Sequence, residues 1–148
     1  MNHLPTWRLY LLRAAYLLMA IGLAAMIWPL ILQGHEGVEH MRGVSRALLG
    51  AIGLLAVVGL RYPVQMLPLL LFEFTWKVIW LATYGLPGLA DGTLDAAHRA
   101  SLFDCGFGVV LMLIVIPWGY VWRNYVRRPG ERWRGGATTA TMGTAEMR

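Results

Sequence analysis

Cysteine and charged residues are both scarce in this 148-residue chain. The single cysteine, Cys105, excludes an intramolecular disulfide bond and any CxxC redox pair. Charged residues make up 14% of the sequence, against roughly 25% in an average soluble protein. Apolar residues reach 57%, and this balance favours lipid as the surrounding solvent.

The motifs of several common enzyme classes are also absent. The sequence has no Gly-rich phosphate loop, no dinucleotide fingerprint and no Ser-His-Asp set that can be placed. The net charge of +5 comes without a nucleic-acid recognition motif, and a basic excess is expected beside an anionic bilayer. We therefore expect no nucleic-acid partner, and the sequence indicates no particular cofactor.

Four apolar runs approach the length of about 20 residues that a membrane-spanning helix needs. They predict an all-α integral membrane protein, an antiparallel bundle of four transmembrane helices. The predicted segments are an N-terminal piece (1–13), a transmembrane domain (14–134) with spans at 9–32, 43–60, 64–86 and 101–122, a basic juxtamembrane segment within it (123–134), and a Gly/Thr/Ala-rich disordered tail (135–148).

Local signals refine the boundaries around the fourth span. Turn-forming Asp91-Gly92 precedes Thr93, the candidate N-cap of a short helix that continues to Arg99. Pro117, near the end of the span, has no N–H to donate. We expect neighbouring groups in the bundle to satisfy the carbonyl that this proline leaves free.

The distribution of arginine gives the bundle a direction. If the N-terminus lies inside, nine basic residues fall on the inner side and three on the outer side. The inner residues are Arg8, Arg13, Arg61, Arg123, Arg127, Arg128, Arg132, Arg134 and Arg148; the outer ones are Arg42, Arg46 and Arg99. This bias predicts that both termini are cytoplasmic, with the Arg-rich C-terminal segment on the anionic inner leaflet. Twelve arginines against one lysine suggest a GC-rich bacterial genome, and hence a multi-pass protein of the bacterial cytoplasmic membrane.

Two charged residues interrupt the third apolar run. A charge in hydrocarbon costs a few kcal/mol and rarely faces lipid, so Glu73 and Lys77 need partners. Their four-residue spacing puts them on one helix face, in the favourable order for an ion pair. Trp76 and Trp80 accompany them, and either ring is a candidate for a cation–π contact with the Lys77 ammonium.

Two further charges are candidates for the same polar network. The outer ends of the third and fourth helices are neighbours, which brings Asp104 within reach of Lys77, and Arg46 enters the second helix from the same side. The predicted set is Arg46, Glu73, Trp76, Lys77, Trp80 and Asp104. In one interpretation these charges neutralise one another and fix helix pairing. In the other they line an outward-facing pocket that binds a small molecule or lipid headgroup, or relays protons.

The histidines of the outer loops form a weaker candidate site. His35 and His40 are five residues apart, whereas two zinc ligands on one helix face need a spacing of four. The weak candidates for a metal or proton-sensing site are His35, Glu39, His40 and His98. An ordinary solvated loop is the favoured interpretation, so no metal site is predicted.

Small residues mark the expected packing surfaces. Ala47, Gly50 and Ala51 lie along one side of the second helix, and Ala20 and Ala24 are spaced likewise on the first. Such residues let helices approach closely, within one chain or between chains. A homodimer and a larger membrane complex are therefore both open.

Three classes of function fit these features. The leading hypothesis is a non-catalytic membrane protein, either an accessory subunit or a ligand-binding bundle, organised by the Glu73, Lys77 and Asp104 charges. The first alternative is a small-molecule or proton-coupled transporter in which Glu73 titrates. The second is a membrane-embedded enzyme acting on a lipid or quinone, with Glu73 or Asp104 as acid or base. The sequence favours a non-catalytic role over an enzymatic one.

Overall fold

The structure, a computed structural model, describes residues 4–34 and 37–129. All regular secondary structure within these ranges is helical. The chain forms two compact units, Met1–Trp118 and Gly119–Arg148. The predicted disordered tail, 135–148, and the end of the juxtamembrane segment, 130–134, lie outside the described residues.

Four helices are long and apolar enough to cross a membrane, which confirms that part of the predicted fold. The first, Thr6–Leu32, consists of α1 (Thr6–Met26) and α2 (Trp28–Leu32), and the second is α3 (His40–Arg61). The third, Leu67–Ala90, joins α4 (Leu67–Trp80) to α5 (Leu86–Ala90) through a π-helical turn (Leu81–Gly85); the fourth is α6 (Ala96–Val115).

The second unit contains a π-helical turn, Trp122–Arg127, in the basic segment that follows the fourth helix. It follows a short helix, α7 (Trp118–Val121). The side-chain amide of Asn124, in this turn, donates to the carbonyl of Tyr120, in α7, at 2.9 Å. Arg123, Arg127 and Arg128 are exposed, so their charges are available to a surface outside the chain.

Glycines of α3 set its close antiparallel packing on the first span. A Cβ atom built on Gly59 would lie 2.5 Å from Cδ1 of Tyr16, which is fully buried. Further along, Gly53 lies against Leu23 and Gly50 lies against Ile31. Residues with lower numbers on α3 contact residues with higher numbers on the first span, so the two helices run in opposite directions. Close backbone approach of this kind is how helices pack without large side chains between them.

Side chains of α1 bind the backbone carbonyls at the ends of two other helices. Arg13 donates to the carbonyl of Leu60 at 3.2 Å, and the Tyr16 hydroxyl donates to that of Pro63 at 3.0 Å. Arg8 donates to the carbonyl of Ile114 at 3.2 Å. The last carbonyls of a helix have no partner within it and carry partial negative charge, so cationic donors are favourable there.

Pro117 ends the fourth long helix earlier than expected. The predicted span reached residue 122, but α6 ends at Val115 because the residue before a proline is driven into an extended conformation. Pro117 also leaves the Leu113 carbonyl without its helical donor, and the indole N–H of Trp118 takes its place at 3.0 Å. The freed carbonyl is thus satisfied by a neighbouring group, as expected.

The connection between the third and fourth helices also differs from the predicted one. The third helix continues past residue 86 to Ala90, since Pro87 lies in the first turn of α5, where a missing N–H costs nothing. The N-cap of α6 is Asp95 rather than Thr93, because the helix begins only at Ala96. The backbone N–H of His98 donates to Asp95 at 2.8 Å and holds the pKa of that carboxyl below its usual range.

Candidate functional site

The candidate site lies on α4, which packs against α6. The helix begins at Leu67 with Pro68 in its first turn, where proline is compatible with helix geometry. Phe74 meets Trp118 edge to face, with ring centroids 5.3 Å apart. Gly85, in the π-helical turn that follows α4, lies against Leu102 of α6. These contacts place the third long helix beside the fourth.

Glu73 is the only buried charged residue among the described parts of the chain, with 4% of its surface exposed. Its Oε2 accepts a hydrogen bond from the indole Nε1 of Trp76 at 2.6 Å, and its Oε1 pairs with the ammonium of Lys77. The same ammonium lies 4.1 Å from the centroid of the Trp76 ring. Glu73, Trp76 and Lys77 therefore form one compact group, the α4 charge cluster, built from a single helix.

The geometry of the α4 charge cluster explains how a carboxylate is tolerated at this depth in the fold. A buried carboxylate is costly unless it is paired and its lone pairs are bonded. Here one oxygen faces a cation and the other a neutral donor, and the cation lies on an aromatic face. Spacings of three and four residues along a helix are the ones that bring side chains together.

Gly108 of α6 makes room for the Lys77 side chain. A Cβ atom built on Gly108 would lie 2.5 Å from Cε of Lys77 and 2.9 Å from Cδ. Cys105, three residues earlier on α6, is buried as a small apolar residue. Sequence reasoning missed Gly108 as part of the site. The available signal was the three-residue spacing of these two small residues.

The other predicted members of the network lie elsewhere. Asp104 is exposed on α6 and forms no hydrogen bond or ion pair with any described residue. Arg46 is half-buried and lines a groove beside α2. Trp80 is half-buried and lies against Gly85. The structure thus brings together Glu73, Trp76 and Lys77. These residues are one turn apart on the same helix, so their contacts do not depend on how α3 or α6 is rotated.

The metal candidates are not gathered either. Among residues 4–34 and 37–129, no three His, Cys, Asp or Glu side chains are arranged to hold a metal ion. His98 pairs through Nδ1 with Oδ1 of Asp95 at 2.8 Å, whereas Glu39 and His40 lie at the start of α3. His35 lies outside the described residues.

An apolar groove of about 230 Å³ adjoins the α4 charge cluster between α3 and α4. Trp76 forms part of its wall, so one side of this ring faces the groove residues while its N–H bonds Glu73. Ser45, the polar residue of the α3 wall, donates its hydroxyl to the carbonyl of Met41 at 2.9 Å. The groove offers apolar surface rather than hydrogen-bonding groups.

No protein-family model, curated protein or solved structure matches this chain. The chemistry of the site is therefore the basis for any statement about function. A carboxylate with both oxygens bonded and almost no contact with solvent is poorly placed to exchange protons with a substrate. The α4 charge cluster is suited to neutralising its own charges while presenting its apolar side to α6.

Proposed function

We propose that this chain is a multi-pass membrane protein with a non-catalytic role, an accessory or ligand-binding bundle of four helices. The observation that carries this proposal is the bonding of Glu73, whose two oxygens are both occupied by donors of its own helix. A transporter that titrates Glu73 needs water at the carboxylate, and a lipid- or quinone-directed enzyme needs a free acid or base. The buried, bonded carboxylate favours the non-catalytic role over a transporter or an enzyme that uses Glu73, and the exposed Asp104 is the remaining candidate acid or base for an enzyme.

The proposed orientation places both termini in the cytoplasm. Nine inner arginines against three outer ones support it, since basic residues are retained on the cytoplasmic side. Arg123, Arg127 and Arg128 are exposed and lie just beyond the fourth long helix. We expect this segment to lie on the anionic lipid of the inner leaflet of a bacterial cytoplasmic membrane.

The orientation can be tested by labelling introduced cysteines. Cys105 is buried, so the unmodified chain is the control that should remain unlabelled. A membrane-impermeant maleimide should label Asp91→Cys in intact cells, because this residue is exposed in the connection between α5 and α6. It should label Thr6→Cys only after the cells are opened. Labelling of Thr6→Cys in intact cells would contradict the proposed orientation.

Asp104 supports the accessory form of the proposal. It lies roughly 12 Å along α6, counting about 1.5 Å per residue from Ala96, in the apolar part of the helix that follows His98 and Arg99. The rings of Phe103 and Phe107 beside it are stacked with centroids 6.5 Å apart, and Phe103 is 74% exposed. A charge facing lipid within the hydrocarbon costs up to about 2.5–3.5 kcal/mol on insertion scales. A second helix covering this face would remove that cost.

Native mass spectrometry from mild detergent tests this role. The chain should be released from its membranes as species heavier than one copy, either a homodimer or a larger complex. Asp104→Leu should reduce their share severalfold, because an apolar side chain no longer needs a polar partner. Leu113→Met, at an exposed position on the side of α6 opposite Asp104, is the matched control and should leave the share unchanged. A wild-type chain that is single throughout would count against an accessory role.

A further inference from the structure

A second groove, beside the connection from α2 to α3, combines charged side chains with apolar walls. It lies between α2 and the beginning of α3 and has a volume of about 590 Å³, within the range of small-molecule sites. Leu30 and Ile31 form one wall, and Val44 and Ala47 form the other. Glu39, His40 and Arg46 line the same groove and give it a carboxylate, an imidazole and a guanidinium.

Arg46 carries a charge that the described residues do not compensate. It lies within α3, is half-buried, and forms no ion pair or hydrogen bond with residues 4–34 or 37–129. An arginine in an apolar helix needs an acceptor or access to a headgroup region. The planar guanidinium binds phosphate oxygens in a two-pronged geometry, so an anionic phosphate is a suitable acceptor.

Glu39 gives the groove its second charge. It precedes α3 at the N-cap position, yet its side chain accepts no hydrogen bond from the helix. Arg46 follows seven residues later, and seven residues return an α-helix to nearly the same side. The two charges therefore lie on one side of α3, about 10 Å apart along its axis at about 1.5 Å per residue. Both side chains are long enough to extend toward a molecule bound between them, so a zwitterionic headgroup has a partner for each of its charges.

We infer that this groove binds a zwitterionic aminophospholipid, with its phosphate on Arg46, its ammonium on Glu39 and an acyl chain on the Leu30, Ile31 and Val44 walls. The inference rests on the membrane insertion in the proposed function and is independent of the α4 charge cluster. One charge of each sign distinguishes this site from a general attraction of basic residues to anionic lipid, which would need no carboxylate.

Lipid binding to the full chain in detergent tests the inference by native mass spectrometry. The probes are phosphatidylethanolamine, phosphatidylglycerol with the same acyl chains, and soluble phosphoethanolamine. Phosphatidylethanolamine should bind most tightly. Arg46→Gln should weaken both lipids about tenfold, the effect of losing one charge-assisted contact. Glu39→Gln should weaken the binding of phosphatidylethanolamine but not that of phosphatidylglycerol, so the variant should bind the two lipids equally.

Arg42→Gln is the matched control, because Arg42 is exposed in the first turns of α3 and does not line the groove. Its lipid binding should equal that of the wild type. Equal binding of the two lipids by the wild type, or unchanged binding in Arg46→Gln, would overturn the inference. Soluble phosphoethanolamine binding as tightly as the lipid would replace a lipid site with a site for a free phosphate ester. If the lipid-binding results overturn the inference but the cysteine variants are labelled as expected, the proposed membrane orientation still stands.

Discussion

Replacing Lys77 by methionine should lower the free energy of unfolding by about 3–5 kcal/mol, the usual cost of leaving a buried charge without its partner. Glu73 is 4% exposed, and its other oxygen is bonded only to the neutral indole of Trp76. No other cation pairs with this carboxylate among the described residues. Unfolding of the purified protein in mild detergent, followed by circular dichroism, measures the effect.

The paired substitution separates neutralisation from function. Glu73→Gln with Lys77→Met removes both charges and keeps an oxygen that accepts from the Trp76 indole. It should recover most of the stability that Lys77→Met loses, since replacing a buried ion pair by uncharged residues is often neutral. Val78→Met, at an exposed position on the same helix, controls for the introduced methionine. A double variant no more stable than Lys77→Met would contradict mutual neutralisation.

Gly59→Ala should destabilise the protein by about 1–3 kcal/mol, the range for overpacking a closely packed contact. Its new Cβ would lie 2.5 Å from Cδ1 and 2.7 Å from Cγ of Tyr16. The Tyr16 ring is fully buried, and its hydroxyl donates to the carbonyl of Pro63. The ring therefore cannot move away from the new methyl group without losing these contacts. The two helices must therefore separate. The same unfolding assay measures the loss.

Gly22→Ala is the control for this substitution. Gly22 lies on α1, and a Cβ atom built there meets nothing within 4 Å. Alanine has the higher helix propensity, so this variant should be as stable as the wild type or slightly more stable. Equal effects at the two glycines would show that helix propensity, rather than the contact with Tyr16, determines the response.

The substitutions at Lys77 and Gly59 remove two kinds of interaction between or within the helices, a buried ion pair and a close glycine contact. If the four long helices span a membrane as proposed, they gain no hydrophobic free energy by associating, so close packing and polar bonds stabilise their association. Contacts of α3 with α1 and α2 supply the close packing, through Gly50, Gly53 and Gly59. The carbonyl bonds made by Arg8 and Arg13 tie α1 to the ends of α6 and α3.

Helix pairing was only partly predictable from the second helix. Of the small residues predicted to form a packing side, Gly50 is buried within the chain, whereas Ala47 and Ala51 are exposed. The helix also buries Gly53, Ala56 and Gly59. Two small-residue stripes exist on this helix, and composition alone does not choose between them. The choice follows from where the large side chains of α1 fall, above all Tyr16.

The charge network was predictable to a similar extent. The pairing of Glu73 with Lys77 follows from their spacing on one helix, and the structure has that pair. The expected bonds to Asp104 and Arg46 required two other helices to present these residues at a particular rotation. Local spacing carries no information about that rotation. Asp104 instead lies on an exposed flank of α6, and Arg46 turns to the groove beside α2.

The sequence by itself determined that the described chain is helical, with four helices of membrane-spanning length, because apolar runs of about 20 residues are typical of helices that can cross a bilayer. It also determined the local ion pair on α4. Only the tertiary structure decided which faces meet, that Pro117 ends α6 at Val115, and that Asp104 and Arg46 stay outside the α4 charge cluster. Those outcomes depend on rotations and contacts between helices, to which distant residues contribute together.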